Sequence, residues 1–373
     1  TLLMVCMPRS GANYVVIARG LHPIFGMFEG WRAVLWNPIT GGIVFFFIAS
    51  YFGTSLLTTG RVLNNDSLIS AGSAILGNPA AMVAVGIIAA TAMAFVDAFG
   101  SGVLKRFIIA FGTITLVVWI VMLVIFLGNT PATIPSNFDA VWGAGAYKEI
   151  VDIATKNGWK PPAAISWEAT SASLMVSINL FYPNNIAPLG GEISKPKVSV
   201  AIGTIIAGIV STFLTVSLAV AQRIALGDFL SMYNFVTLGG FADQLKINLG
   251  VTSSVPFFAS SLTTVPALNF LASFGPFLIL LGATPGLYYW TSRPAFAMAF
   301  DRYLPKVFTR VSERWHGPYI CTLWTYILMV IFTALSAYYA VIFAISLFAL
   351  TALLGVFWGL AAICLGVSLV ARS

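Results

Sequence analysis

Apolar residues in this chain come in long unbroken runs, each near the ~20 residues that carry a helix across a hydrocarbon layer. The runs occupy residues 25–57, 78–96, 103–127, 166–189, 198–224, 270–300, 319–339 and 341–370, and residues 1–7 read as the tail of another. Each predicts a membrane-spanning helix, because only closed backbone hydrogen bonding is tolerated in lipid. Read this way the chain opens in mid-helix, as a piece of a longer protein would.

One run is interrupted. Residues 165–181 predict a helix, and Tyr182-Pro183-Asn184-Asn185 breaks it, since Pro183 lacks an N–H and restricts the residue before it. A second short helical piece is expected at 186–191. Unwound backbone at membrane depth survives only where protein buries it or a wet cavity runs beside it. The break therefore predicts a binding site; a proline kink whose freed carbonyl is met by a serine or a water is the equal alternative.

The connections carry their own signals. Residues 128–164 form a long external segment in which Pro131, Pro135, Pro161 and Pro162 bracket a predicted surface helix at 137–155. A second, 226–266, predicts helical fragments around 230–236 and 241–249, and 60–77 reads as an external connection with Arg61 and Asp66. Residues 97–102 are too few for anything but an antiparallel helical pair. In the long run at 25–57, Trp36-Asn37-Pro38 and Gly41-Gly42 predict a bend, and Glu29 and Arg32 are spaced to pair on one helix face.

Composition fixes the class. Of 373 residues 59% are hydrophobic and 8% charged, with a mean hydropathy of +0.93, against about one quarter charged in soluble domains. The expected class is an all-α polytopic membrane protein. Alternate connections hold thirteen of the Lys and Arg residues on one side and six on the other. That excess places 8–22, 97–106, 190–197 and 293–318 in the cytoplasm. The net charge of +7 then needs no nucleic-acid partner. Cys6, Cys321 and Cys364 fall in or beside apolar runs, as packing residues rather than a disulfide set. His22 and His316 have no second ligand at metal spacing. No ionisable residue occupies the centre of a predicted span, and no nucleophile–base pair appears at depth, which argues against an enzyme.

Four local motifs carry a resemblance. They are Pro8-Arg9-Ser10-Gly11-Ala12-Asn13-Tyr14, the Gly26 to Trp31 element, Gly190-Gly191-Glu192 followed by Pro196-Lys197, and the stretch from Ser292-Arg293 through Ala297-Met298-Ala299 and Asp301 to Leu304-Pro305. Together they resemble the amino acid-polyamine-organocation (APC) permeases, from the end of the second family helix to the tenth. The resemblance implies a leucine-transporter-like fold of five plus five inverted-repeat helices, lacking the first broken helix. Residues 1–127 would be the incomplete first repeat, 128–165 an external loop with its surface helix, and 166–373 the second repeat with an external cap at 226–266.

It also implies a function and a site. The chain is expected to be a secondary transporter moving amino acids or related amines across the cell membrane by alternating access. The alternative is a channel, sensor or non-transporting membrane subunit that kept the scaffold. Family position points to Asn179, Phe181, Tyr182, Pro183 and Asn184 for the substrate, with unwound carbonyls attracting its ammonium group. Thr113, Thr115 and Thr284 could offer oxygens to a sodium ion, or simply bond back to their own helices. Some proton-coupled relatives place a lysine where Gly112 to Thr115 stand here, so Na+ coupling, H+ coupling and exchange stay open. No cofactor is implied. The expected partners are the small-molecule substrate and the lipid bilayer.

Overall fold

The structure, a computed structural model, describes residues 11–20, 22–161, 195–246, 253–315 and 317–339. Among them it is helical, with no strand, and six helices are long and apolar enough to cross a membrane. They coincide with six of the predicted runs. The runs at 1–7, 166–189 and 341–370 lie outside the described residues.

Two short helices, α1 (Ala12–Gly20) and α2 (Pro23–Trp31), open the described chain. His22 caps α2, its Nδ1 accepting the Ile24 amide at 3.3 Å. A π-helical turn, Arg32–Trp36, then leads without a break into α3 (Asn37–Val62). The widened turn falls where a bend is predicted, and the extra residue it absorbs re-aims the helix.

The stretch after α3 is not a plain connection. Asn65 accepts the Leu68 amide at 3.2 Å and starts α4 (Asp66–Gly77), which folds back along α3. The two backbones meet at Gly72, where a Cβ would stand 2.7 Å from both the Gly53 carbonyl oxygen and the Leu57 nitrogen. A helix this short, interrupted by serines and glycines, has no long apolar run to announce it.

Next come α5 (Pro79–Ala98) and α6 (Ser101–Leu127), joined by the tight turn that sets them antiparallel. The long segment beyond carries two helices instead of the one expected, α7 (Ile134–Trp142) and α8 (Ala146–Lys156). Gly143 and Gly145 separate them with φ of 106° and 86°, values that favour glycine. The Asp139 carboxylate then caps α8, accepting the Gly145 and Tyr147 amides at 3.0 and 2.8 Å.

The remaining elements are α9 (Pro196–Leu226), α10 (Phe229–Leu238), α11 (Val255–Ser261), α12 (Pro266–Phe300) and α13 (Tyr319–Tyr338). Of the fragment expected at 241–249, the described part is only a 3-10 turn, Ala242–Gln244.

The packing hub is α3, which lies against α4, α12 and α13, while α5 packs on α13 and α6 on α12. At one end the two long connecting segments merge into a cap around Phe138, Trp142, Phe229, Tyr233, Phe257 and Phe258. Most of its ring pairs meet edge to face, Phe138 and Phe229 at 5.2 Å between centroids, a geometry aromatic quadrupoles favour. Arg61, at the end of α3, places its guanidinium 4.6 Å from the Trp142 ring, and Trp142 donates to Ser261 Oγ at 2.8 Å. The opposite end, where α5 and α12 finish and α13 begins, carries most of the described Lys and Arg residues. We call it the basic end.

Candidate functional site

Helix α12 is the most unusual span, holding Pro276, Pro285 and Pro294 within its 35 residues. Each proline lacks the N–H that would close on the carbonyl four residues earlier, which frees the Ala272, Leu281 and Trp290 carbonyls. Two find side-chain donors. Thr284 Oγ1 donates to the Leu281 carbonyl at 2.8 Å, and Asn37 Nδ2, from α3, donates to the Trp290 carbonyl at 3.1 Å. Both side chains are buried, so the satisfaction is local and specific.

The three hydroxyls that could serve a cation, or bond back to their own helices, are placed differently, and each bonds back. Phe111 and Val118 of α6 press against Gly282 and Gly275 of α12, and Thr115 shares their face of the helix. It donates to the Phe111 carbonyl at 2.8 Å. Thr113, two residues away and so ~200° around the helix, is exposed and donates to the Ile109 carbonyl at 3.0 Å. Thr284 is fully buried, but stands on the side of α12 where Tyr288 packs against Phe45, not on the Gly275 and Gly282 stripe that receives α6. Each hydroxyl has spent its proton on its own helix and keeps acceptor capacity.

The cap end of the same interface has a second polar knot. Thr59 Oγ1 lies 3.3 Å from Asn269 Oδ1 and 3.2 Å from Ser273 Oγ, and Asn269 Nδ2 donates to the Ser260 carbonyl at 2.7 Å. It ties α3, α11 and α12 together.

Charges concentrate at the basic end. Arg293 is 4% exposed and donates to Asp97 Oδ1 at 2.7 Å, while Thr322 donates to the other oxygen, Oδ2, at 2.7 Å. Three spans, α5, α12 and α13, therefore meet at one carboxylate that is itself fully buried. The charge pattern alone puts Arg293 in the head-group zone as an anchor; the structure instead turns it inward, because the short turn after α5 delivers a carboxylate to it. A signal was present, since an Asp in the last turn of a helix opposes the helix dipole and calls for a cation.

Beside this pair, Glu29 takes a two-pronged bond from Arg32 at 2.6 and 2.7 Å and a third from Asn13 Nδ2 at 3.3 Å. The spacing-based pairing of Glu29 with Arg32 is thus present, at the entry to the π-helical turn. Gly11, Asn13, Tyr14, Glu29, Arg32, Ala33, Trp290 and Pro294 line a partly open pocket of about 10 Å³, room for one water. Tyr14 donates to Asp301 Oδ2 at 2.5 Å, fastening α1 to the end of α12. Burial first, and the bond to Asp301 second, push the Tyr14 phenol above its ordinary range, so it stays neutral.

The chain matches the family model described as amino acid permease over residues 2–372. It belongs to the amino acid permease family. That agrees with the APC resemblance of its four motifs and with an all-α, multi-pass membrane architecture. Comparison with curated proteins finds no match. Asn179, Phe181, Tyr182, Pro183 and Asn184 of this permease lie outside the described residues, as does the whole of 166–192. Among the described residues no cluster of His, Cys, Asp and Glu is arranged to hold a metal ion. Cys321 is buried, its Sγ 3.3 Å from the Phe308 carbonyl, in a packing role.

Proposed function

We propose that this permease is a secondary transporter of amino acids or related amines that works by alternating access across the cell membrane, with its basic end in the cytoplasm. The observation that carries the reading is the family match across residues 2–372. In support, the buried acids Glu29 and Asp97 are closed by Arg32 and Arg293 at the basic end, and the middle of each described span carries no charged residue, which suits a zwitterion.

The substrate site in this reading is the break at Phe181 to Asn184, with Asn179 beside it. Unwound carbonyls there would hold the ammonium group, and Phe181 and Tyr182 would cover the bound molecule. Thr284 or Thr115 would offer an oxygen to a coupling sodium ion, each at its own place, since Thr284 faces away from α6 and Thr113 lies on the exposed side of α6. Proton coupling and exchange are the competing modes.

Uptake into proteoliposomes decides between these. Labelled amino acids and polyamines are offered under an imposed Na+ gradient, an imposed H+ gradient, or preloaded unlabelled solute. Accumulation under one condition is expected. Absence of both accumulation and counterflow across the panel, in protein that is folded by thermal unfolding, would overturn the transporter reading.

A further inference from the structure

At the basic end, the turn between α5 and α6 and the loop after α12 are pressed together by backbone. Gly100 has φ 83°, and a Cβ there would stand 2.5 Å from the Trp315 carbonyl oxygen; a Cβ on Gly317 would meet the Ala98 carbonyl oxygen at 2.7 Å. The side chains carried by this joint do not turn inward. Phe95 stacks on Phe99 at 5.9 Å, Phe99 meets Trp315 at 4.7 Å, and Arg314 lies 4.9 Å over the Trp315 ring. All remain open, with Phe95 56%, Phe99 37% and Trp315 39% exposed.

The surroundings are positively charged. Lys105 and Arg106 follow within two turns of Gly100 and are exposed, and the loop adds Arg302, Lys306, Arg310 and Arg314 against two acids, Glu313 and Asp301, the second of which accepts from Tyr14. Asp97 offers no compensation, since Arg293 and Thr322 already take its two oxygens in the interior. Exposed aromatic rings beside an excess of positive charge, at the level where the spans leave the hydrocarbon, match the two halves of a phospholipid: acyl chain and glycerol against rings, phosphate against cations.

We infer that this surface seats one anionic phospholipid from the leaflet at the basic end. The phosphate lies against Arg314 with Lys105 and Arg106, and the first acyl carbons lie along Phe95, Phe99 and Trp315. A membrane lipid fits this surface better than free phosphate, which has no use for the exposed rings. The inference does not depend on the substrate or coupling mode.

The test is thermal unfolding of the purified permease in detergent with added phosphatidylglycerol, phosphatidylcholine or inorganic phosphate at equal phosphorus. Phosphatidylglycerol should raise the midpoint by a few degrees through mass action, and the other two should leave it unmoved. The triple variant K105Q/R106Q/R314Q should lose that shift, its midpoint in phosphatidylcholine matching the unsubstituted chain. The charge-preserving K105R/R106K/R314K should keep it, and W315A should lose most of it. An undiminished shift in the triple variant, or an equal shift with phosphatidylcholine, would overturn the inference. So would an equal shift with inorganic phosphate, since that would make the site one for a free ion. If the triple variant fails to fold, retention of phosphatidylglycerol by W315A in native mass spectrometry decides: undiminished retention refutes the lipid seat.

Discussion

Asp97 shows how much a single side chain can hold. Its carboxylate is fully buried, and its two oxygens are taken by α12 and α13, so removing one partner strands a charge in the interior. Asp97→Ala should destabilise the permease by about 3–5 kcal/mol, whereas Asp97→Ala with Arg293→Met should recover much of the loss, because the orphaned guanidinium goes with it. Thermal unfolding of the two variants side by side checks this. Thr284 poses a smaller question of the same kind. Thr284→Val leaves the Leu281 carbonyl without its donor, at a cost of about 1–3 kcal/mol, and Thr284→Ser should cost much less. If Thr284 also serves a cation, Thr284→Ser keeps the sodium response of uptake and Thr284→Val abolishes it. Tyr14 sets a limit at high pH. Its phenol loses a proton less readily in the folded chain than its ordinary value of 10.0, so the stabilisation is complete below that pH and is lost as pH climbs through and beyond it. A fall in the unfolding midpoint above about pH 10 should therefore be shallower in Tyr14→Phe.

At the scale of elements, length and hydropathy located the described spans, because a run of apolar residues in lipid has little choice but to coil. Polar segments were less legible. The helix at Asp66–Gly77 depends on the close approach of Gly72 to α3, a tertiary contact no local pattern reports. The surface helix divides because Asp139 reaches across Gly143 to cap α8, again a contact over several residues. The Glu29–Arg32 pair could be read from spacing, while the Asp97–Arg293 pair, 196 residues apart, could not. At Tyr182-Pro183 the sequence offers only a proline in an apolar run, and these residues lie outside the described ones. Gly72→Leu should separate α4 from α3 and lower the unfolding midpoint by several degrees, whereas Gly77→Ala, with open space around it, should leave the midpoint nearly unchanged.

The whole molecule is fastened in two chemically different ways. One end is closed by buried charge pairs, the other by a cap of aromatic rings to which both long connecting segments contribute. Because α7 and α10 share that apolar core, residues 134–142 and 229–238 should gain and lose hydrogen-exchange protection together when substrate is added. Independent exchange of the two would show that they do not behave as one body.

The prolines of α12 have a last consequence. At Trp290 the continuity of that span is supplied by an amide belonging to α3, so the rod is spliced by its neighbour rather than by itself. A splice of this kind makes stiffness a shared property. Any stroke that slid α3 past α12 would also soften α12 at that point, and would turn a sliding movement into a flexing one.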